Sequence, residues 1–167
     1  MIAAHLRALL NERYTIDREI GAGGMATVYL ALDRKHDRNV AVKVLRHELG
    51  QDTTSERLRR EISITAKLIH PNIMPLFDSG EVGGSAYFVM PYMEGSTLRD
   101  RLTREGSLDV ATAVAIAGDV ADALEYAHAR DVVHRDIKPE NILLEGDRAL
   151  VADFGIARAA TDAGVRS

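Results

Sequence analysis

The segment "HRDIKPEN", residues 134–141, places five ionisable side chains and an asparagine between two apolar runs. Asp136 has the chemistry to take a proton from a hydroxyl, and Lys138 has the charge to neutralise a nearby phosphate. Asn141 offers an amide oxygen of the kind that Mg²⁺ prefers, and Pro139 stiffens the loop. A solvated turn has a similar composition, so this segment alone is consistent with a turn or with an active site.

A second acidic motif, "DFG" at 153–155, follows the apolar run "ALVA". Asp153 therefore stands at the end of a predicted strand, where a carboxylate needs a partner and a metal ion is a suitable one. Phe154 would anchor the turn by burial, and Gly155 would give it conformational freedom. A polar turn is again the alternative for this motif taken alone.

The glycine-rich segment "GAGGMA", residues 21–26, leads into the strand pattern "TVYLALD" rather than into a helix. It therefore predicts a loop between antiparallel strands, in which free backbone N–H groups can face phosphate oxygens. Lys43 lies on a largely apolar strand face, so it must reach solvent or meet an anion. Glu61, on the helix that follows, can turn inward towards Lys43 or pair with Arg57 on its own helix.

Strand patterns dominate the first half of the chain. They cover residues 13–20, 27–32 and 39–45, followed by "MPLFDSG" and "SAYFVM" with "EVGG" between them. In the third pattern, Val40, Val42 and Val44 fall on one face and Ala41, Lys43 and Leu45 on the other.

Helical patterns alternate with these strands and dominate the second half. Thr53 and Glu56 form a capping-box signature, and the helix they begin would end at Pro71. Its predicted apolar face consists of Leu58, Ile62, Thr65 and Ile69. A longer helix is predicted over 107–130, with Ser107 as N-cap. Its predicted apolar stripe consists of Val110, Val114, Ala117, Ala121 and Leu124. The segment "STLRDRL" predicts one or two further helical turns, and "PYMEG" at 91–95 would connect the two halves.

Composition excludes several classes of protein. The 167 residues are 46% hydrophobic and 28% charged, a globular balance, and the net charge of −4 argues against a general nucleic-acid binder. The absence of cysteine excludes disulfides and thiolate zinc sites. The first ten residues predict a short amphipathic helix rather than a signal peptide, and no apolar run reaches the length of a membrane span.

The motifs "GAGGMATV", "VAVK", Glu61, "HRDIKPEN" and "DFG", in this order, resemble those of the eukaryotic-like (Hanks-type) serine/threonine protein kinases of bacteria. The resemblance implies an α+β, bilobal kinase fold with a complete β-rich N-lobe and only the first part of a helical C-lobe. It divides the chain into a helical extension at 1–12, an N-lobe at 13–90, a hinge at 91–95 and a partial C-lobe at 96–167.

The resemblance also implies roles for individual residues. Asp136 would be the catalytic base, Lys138 would steady the γ-phosphate, and Lys43 would hold the α- and β-phosphates while paired with Glu61. The implied Mg²⁺ ligands are Asn141 and Asp153. The residues implied to contact ATP are Gly21, Ala22, Gly23, Gly24, Val28, Ala41, Lys43, Met90, Pro91, Met93 and Leu143. The implied structural residues are His134, Arg135, Phe154 and Gly155.

Within the ATP set, the adenine would lie between the side chains of Val28, Ala41 and Leu143. Met90 would be the gatekeeper, and the adenine edge would bond the carbonyl of Pro91 and the N–H of Met93. Two positions depart from the family pattern. Ala26 replaces the third glycine of the phosphate loop, and Pro91 removes an N–H from the hinge, where only its carbonyl is needed.

The sequence ends at "IARAATDAGVRS" without an "APE" motif, which predicts a fragment truncated within the activation segment and inactive alone. Thr161 and Ser167 are candidate phosphosites on that segment, and Arg135 predicts activation by a phosphorylated loop residue. The truncation predicts exposed apolar surface on 107–130 and on "NILL".

The implied cofactors are ATP and Mg²⁺, and the implied partners are proteins with Ser/Thr acceptors and a second kinase copy for autophosphorylation. No nucleic acid or membrane segment is expected in this chain. We expect a cytoplasmic location, with any membrane anchor beyond Ser167. Two alternatives remain open: a non-catalytic nucleotide-binding or scaffold module, and a small-molecule phosphotransferase with a kinase-like fold.

Overall fold

The computed structural model describes residue 10 and residues 12–23, 26–45, 63–146 and 148–154. The chain forms two compact units, Met1–Gln51 with Leu76–Tyr92 and Asp52–Pro75 with Met93–Ser167. The predicted N-terminal helix and the capping box at Thr53 lie outside the described residues.

The first unit is built on a five-stranded antiparallel sheet. Its strands are β1 (Tyr14–Ala22), β2 (Ala26–Asp33), β3 (Arg38–Leu45), β4 (Asp78–Val82) and β5 (Ser85–Pro91), in the spatial order β1-β2-β3-β5-β4. All five predicted strands are present, but β4 begins four residues later than "MPLFDSG" predicts. Pro75 has no N–H to donate to a strand ladder. Met74 belongs to the second unit, where its N–H donates to the Val151 carbonyl.

One face of this sheet forms the core of the first unit. Val40, Val42 and Val44 are all buried and pack with residues of the neighbouring strands, which confirms their predicted common face. Tyr14, on β1, is 1% exposed, and its hydroxyl donates to Asp78 Oδ2 at 2.8 Å. This contact joins the two outer strands of the sheet through a side chain.

The second unit combines two helices with a small sheet and a 3₁₀ turn. Its elements are β6 (Ser96–Thr97), α1 (Leu98–Glu105), α2 (Val110–His128), the 3₁₀ turn (Pro139–Asn141), β7 (Ile142–Glu145) and β8 (Arg148–Val151), with the sheet order β6-β7-β8. Helix α1 begins in a capping box, in which Thr97 Oγ1 accepts from the Asp100 N–H and Asp100 Oδ2 accepts from the Thr97 N–H. None of the described helices is long and apolar enough to span a membrane.

Helix α2 differs from its prediction in start and in phase. Its N-cap is Asp109, whose Oδ1 accepts from the Thr112 N–H at 2.9 Å, so Ser107 was the wrong choice. Val110 and Val114 are 79% and 65% exposed, whereas the buried positions of the helix are Ile116, Ala123 and Ala127. Apart from Leu124, which packs against a buried cluster, the predicted stripe was wrong. Alanine and valine occur around the whole helix, so only contact with the neighbouring segments selects a face.

Two further burial predictions also change. The helical residues before Pro71 that are described end at Thr65, so Ile69 lies beyond the helix and is 81% exposed, while Leu68 is buried instead. The exposed apolar surface predicted on α2 is present at its first turns, but "NILL" does not share it. Ile142 and Leu144 are buried, because their side chains pack with Leu98 of α1 and Ile116 of α2.

Two glycines of the second unit should respond oppositely to alanine. A Cβ at Gly95 would run into the backbone of Leu144 on β7, so Gly95→Ala should cost about 1–3 kcal/mol of unfolding free energy. A Cβ at Gly118, within α2, meets nothing nearby, so Gly118→Ala should add about 0.5–1 kcal/mol. Urea unfolding of both variants tests the pair, and equal shifts of the same sign would contradict the packing described for Gly95.

Candidate active site

The catalytic-loop residues predicted from "HRDIKPEN" converge on one carboxylate. Asp136 Oδ2 accepts from Lys138 Nζ at 2.7 Å and from Asn141 Nδ2 at 3.1 Å. The hydrogen bond from Lys138 lowers the pKa of Asp136, and the same contact raises the pKa of Lys138. Within the described part of the chain no donor bonds Asp136 Oδ1, so this oxygen is available to a further ligand.

His134 holds this loop to the strand that precedes Asp153. Its side chain is 2% exposed, its Nε2 lies 2.8 Å from the Ala152 carbonyl oxygen, and its Nδ1 accepts from the Asp136 N–H at 3.2 Å. These two contacts require the neutral imidazole with the proton on Nε2. The ring also packs edge-on against Phe154, with centroids 4.6 Å apart.

The β7–β8 hairpin places Ala152, the residue before Asp153, beside Asn141. The Ala152 N–H donates to the Asn141 carbonyl oxygen at 2.9 Å, one residue beyond the last pair of the ladder, Ile142 with Val151. Asp153 itself has a φ of +64°, a left-handed conformation that aspartate tolerates better than most residues. Phe154 is 1% exposed, which confirms the burial predicted for it, and its carbonyl accepts from Thr65 Oγ1 at 3.2 Å.

The buried His134 should make stability depend on pH. Burial lowers the pKa of its imidazole, whereas the unfolded chain has a value of about 6.5. The unfolded state therefore binds more protons below that pH, and the His134 contribution, present above about pH 6.5, is lost as the pH falls through the lowered folded-state pKa.

We expect the unfolding free energy of wild type to fall more steeply between about pH 6.5 and 5 than that of His134→Gln, whose amide can still donate and accept. His128→Gln, at the exposed end of α2, controls for loss of a histidine. Parallel pH profiles for wild type and His134→Gln would contradict the neutral, buried imidazole.

The predicted nucleotide residues of the first unit share one face of its sheet. In the strand register Lys43 lies opposite Val28 on β2 and Phe88 on β5, while Ala41 lies opposite Leu30 and Met90. Directly opposed residues point to the same side, so Val28, Ala41, Lys43 and Met90 share the face opposite the valine core.

The glycine-rich segment connects antiparallel strands, as its sequence context predicts. Gly21 pairs with Val28 and Ala22 with Thr27, and the Gly23 N–H donates to the Ala26 carbonyl at 2.9 Å. Gly21, Ala22 and Gly23 are exposed, although the Gly23 N–H is already bonded to the Ala26 carbonyl.

The other predicted residues are placed less informatively. Pro91 ends β5, and Met93, two residues further along the chain, is half-buried. Leu143 is half-buried on β7, and Arg135 is exposed with a φ of +69°. The remaining predicted site residues lie outside the described residues: Gly24, Glu61, Gly155, Thr161 and Ser167.

Two polar residues that the sequence did not single out also belong to this region. Asn72 is 7% exposed and donates from Nδ2 to the Ala149 carbonyl, and Asp119 Oδ2 accepts from the Ala149 N–H. Their only signal in the sequence is a polar residue within an apolar stretch, "PNIM" and "AIAGDVA" respectively.

The donor chemistry near Asp153 fits a hard cation. Asn141 is 7% exposed, and its amide nitrogen is committed to Asp136, so the amide oxygen is the atom left for a cation. Together with the Asp153 carboxylate this gives oxygen donors of the type that Mg²⁺ selects. Over the described ranges, no cluster of three or more histidine, aspartate or glutamate side chains is placed to hold a metal by itself.

Comparison with known proteins identifies the family of this chain. Residues 14–166 match the protein kinase domain family. Serine/threonine-protein kinase PknB of Mycobacterium leprae is 43% identical over 159 residues, covering 92% of this chain and 26% of PknB. The chain thus spans about a quarter of the length of the curated relatives it matches.

Solved structures show the same fold. The Mycobacterium tuberculosis PknI kinase domain is similar with a TM-score of 0.75 and 34% identity, over 86% of this chain and 59% of that chain. Rad53 1-466 in complex with AMP-PNP is similar with a TM-score of 0.79 and 30% identity, over 88% of this chain and 39% of that chain. Since the family match extends over nearly the entire sequence, the chain belongs to the protein kinase family.

Proposed function

We propose that the protein containing this chain transfers the γ-phosphoryl group of ATP to Ser/Thr hydroxyls of protein substrates. The observation that carries this proposal is the arrangement around Asp136, whose Oδ2 is held by Lys138 and Asn141 while Oδ1 stays available. The fold family supports it, as do the serine/threonine-protein kinases among the relatives.

In the proposed reaction the substrate hydroxyl donates a hydrogen bond to Asp136 Oδ1. Its oxygen attacks the γ-phosphorus, the bond to the departing ADP oxygen breaks, and the hydroxyl proton passes to Asp136. The lowered pKa keeps Asp136 ionised at neutral pH and makes it a weak base. Its contribution is therefore mainly to orient the hydroxyl, with proton transfer late.

Lys138 and the cation held by the metal ligands would neutralise negative charge on the phosphates. An ammonium has three donors, so Lys138 can keep its bond to Asp136 and still contact a γ-phosphate oxygen. Asn141 and Asp153 would hold Mg²⁺, which neutralises charge developing on the phosphates when bound.

The first unit would supply the nucleotide contacts. Val28, Ala41 and Met90 give an apolar surface for adenine, and Lys43 on the same face places an ammonium where phosphates would begin. The exposed backbone of Gly21 to Gly23 would approach the phosphates closely. The roles of Glu61 and Leu143 rest on the family resemblance alone. We place this domain in the cytoplasm, because the reaction proposed for it consumes ATP from that compartment.

An acceptor comparison tests the reaction class. With Mg·ATP, the protein containing this chain should phosphorylate itself and Ser/Thr peptides, with little transfer to tyrosine peptides, sugars or aminoglycosides. Phosphate found only on a small-molecule acceptor would contradict the proposal, as would ATP binding without transfer to any acceptor.

A further inference from the structure

Strand β8 is an edge strand of its sheet, yet its outer edge is fully hydrogen-bonded by residues from elsewhere in the second unit. The Ala149 N–H donates to Asp119 Oδ2 at 2.7 Å, and the Ala149 carbonyl accepts from Asn72 Nδ2 at 3.0 Å. The Val151 N–H donates to the Asn72 carbonyl at 2.8 Å, and the Val151 carbonyl accepts from the Met74 N–H at 2.9 Å. We call Asp119, Asn72 and Met74 the β8 edge clamp.

These bonds are hard to replace with water. Ala149 and Val151 are both 0% exposed, and Asn72 is 7% exposed. A buried N–H or carbonyl without a partner is strongly disfavoured, so β8 must stay where the clamp can reach it. Asp119 adds a charge-assisted bond, which is short and stronger than a neutral one.

The clamp lies directly before Asp153 in the chain. After Val151, the Ala152 N–H bonds the Asn141 carbonyl and the Ala152 carbonyl lies 2.8 Å from His134 Nε2. From Ala149 to Ala152, every residue is thus hydrogen-bonded to a defined partner or paired in the β7–β8 ladder. A displacement of β8 therefore moves the Asp153 carboxylate relative to Asn141, and small errors in such positions are costly.

We propose that Asp119 and Asn72 are positioning residues that set the place of Asp153 through the edge of β8. This inference rests on the proposed function only in assigning Asp153 to the metal. Asp119 gives the sharper test, because it lies on α2 and bonds β8 through one side-chain atom, whereas Asn72 also contributes its backbone.

Three variants separate positioning from bulk stability. Asp119→Ala removes the acceptor, Asp119→Asn keeps an amide oxygen that can accept, and Asp122→Ala makes the same charge change one turn along α2 at an exposed position. Amide hydrogen exchange at Ala149 and Ala152 measures how firmly the clamp holds β8, and it requires no catalytic turnover. Mn²⁺ uptake in the presence of AMP-PNP, followed by electron paramagnetic resonance, reports metal affinity without turnover.

For Asp119→Ala we expect faster exchange at Ala149 and a loss of about tenfold or more in Mn²⁺ affinity, as for other residues that orient metal ligands. The KM for a peptide should not change, and Asp119→Asn should recover most of the affinity. The proposal is overturned if Asp119→Ala keeps the exchange rate of wild type, or if its exchange rises while its Mn²⁺ affinity stays at the wild-type value. It is also overturned if Asp122→Ala produces the same changes in exchange and Mn²⁺ affinity as Asp119→Ala.

The outcome separates this proposal from the proposed function. A wild type that transfers phosphate but shows no response to Asp119→Ala refutes the clamp alone. A wild type that takes up no Mn²⁺ with AMP-PNP refutes the assignment of Asp153 to the metal and with it the clamp proposal, whereas the proposed function fails only if the acceptor comparison shows no transfer to Ser/Thr peptides.

Discussion

Asp136→Asn should lower the rate of peptide phosphorylation by about 10²–10⁴-fold, the range expected when a positioned general base is lost. The amide has nearly the size of the carboxylate and can still accept from Lys138 and Asn141 through its oxygen, so the loop should keep its shape. What disappears is the negative oxygen that orients the hydroxyl and takes its proton.

The affinity for Mg·ATP should stay within about threefold of wild type in this variant, because Asp136 is assigned to the acceptor rather than to the nucleotide. Asp122→Asn, an exposed change of the same kind on α2, is the matched control. Steady-state kinetics with nucleotide binding measured separately distinguishes the two effects. Near-normal peptide phosphorylation by Asp136→Asn would refute the role given to Asp136.

Asp153→Asn should lower transfer by about 10²–10³-fold without adding backbone strain. The reason lies in the backbone: Asp153 has a φ of +64°, and asparagine adopts this left-handed conformation as readily as aspartate. The substitution therefore removes the charge that would face Mg²⁺ without straining the turn.

Asp153→Ala should lose the same activity and, in addition, about 1 kcal/mol of unfolding free energy from left-handed strain. Asp131, at φ +59° and exposed, provides the control, since Asp131→Ala carries the same strain without a proposed catalytic role. We expect Asp131→Ala to lose stability and keep transfer. If Asp153→Asn retains both transfer and its Mg²⁺ dependence, the metal assignment of Asp153 is wrong.

The parts of the fold that sequence predicts well are those fixed by local patterning. The alternation in "NVAVKVL" gives the buried face of β3 directly, because neighbouring residues of a strand point to opposite sides. The helical turns predicted at "STLRDRL" have a similarly local cause, a capping box at Thr97 that the structure shows. The catalytic loop and "DFG" were found by their order along the chain, a property of the motif set rather than of any single residue.

The failures have a common physical origin in contacts between distant segments. The buried face of α2 is selected by the β7–β8 hairpin and by the segments that carry Leu68, Ile73 and Phe154, so an alanine- and valine-rich sequence does not reveal it. Asn72 and Asp119 bond backbone groups of Ala149 that lie 77 and 30 residues away. A hydrogen bond to a backbone group places no demand on the partner's side chain, and the sequence therefore carries no paired signal for it.

The most direct test of the central claim, that Asp136 orients the acceptor hydroxyl, is a single-turnover rapid-quench measurement. Enzyme saturated with radiolabelled Mg·ATP is mixed with Ser/Thr peptide, and the rate constant of phosphopeptide formation is compared between wild type and Asp136→Asn. We predict a fall of about 10²-fold or more in this rate constant with nucleotide occupancy unchanged. An unchanged single-turnover rate, or a loss that disappears at higher ATP concentration, would contradict the account.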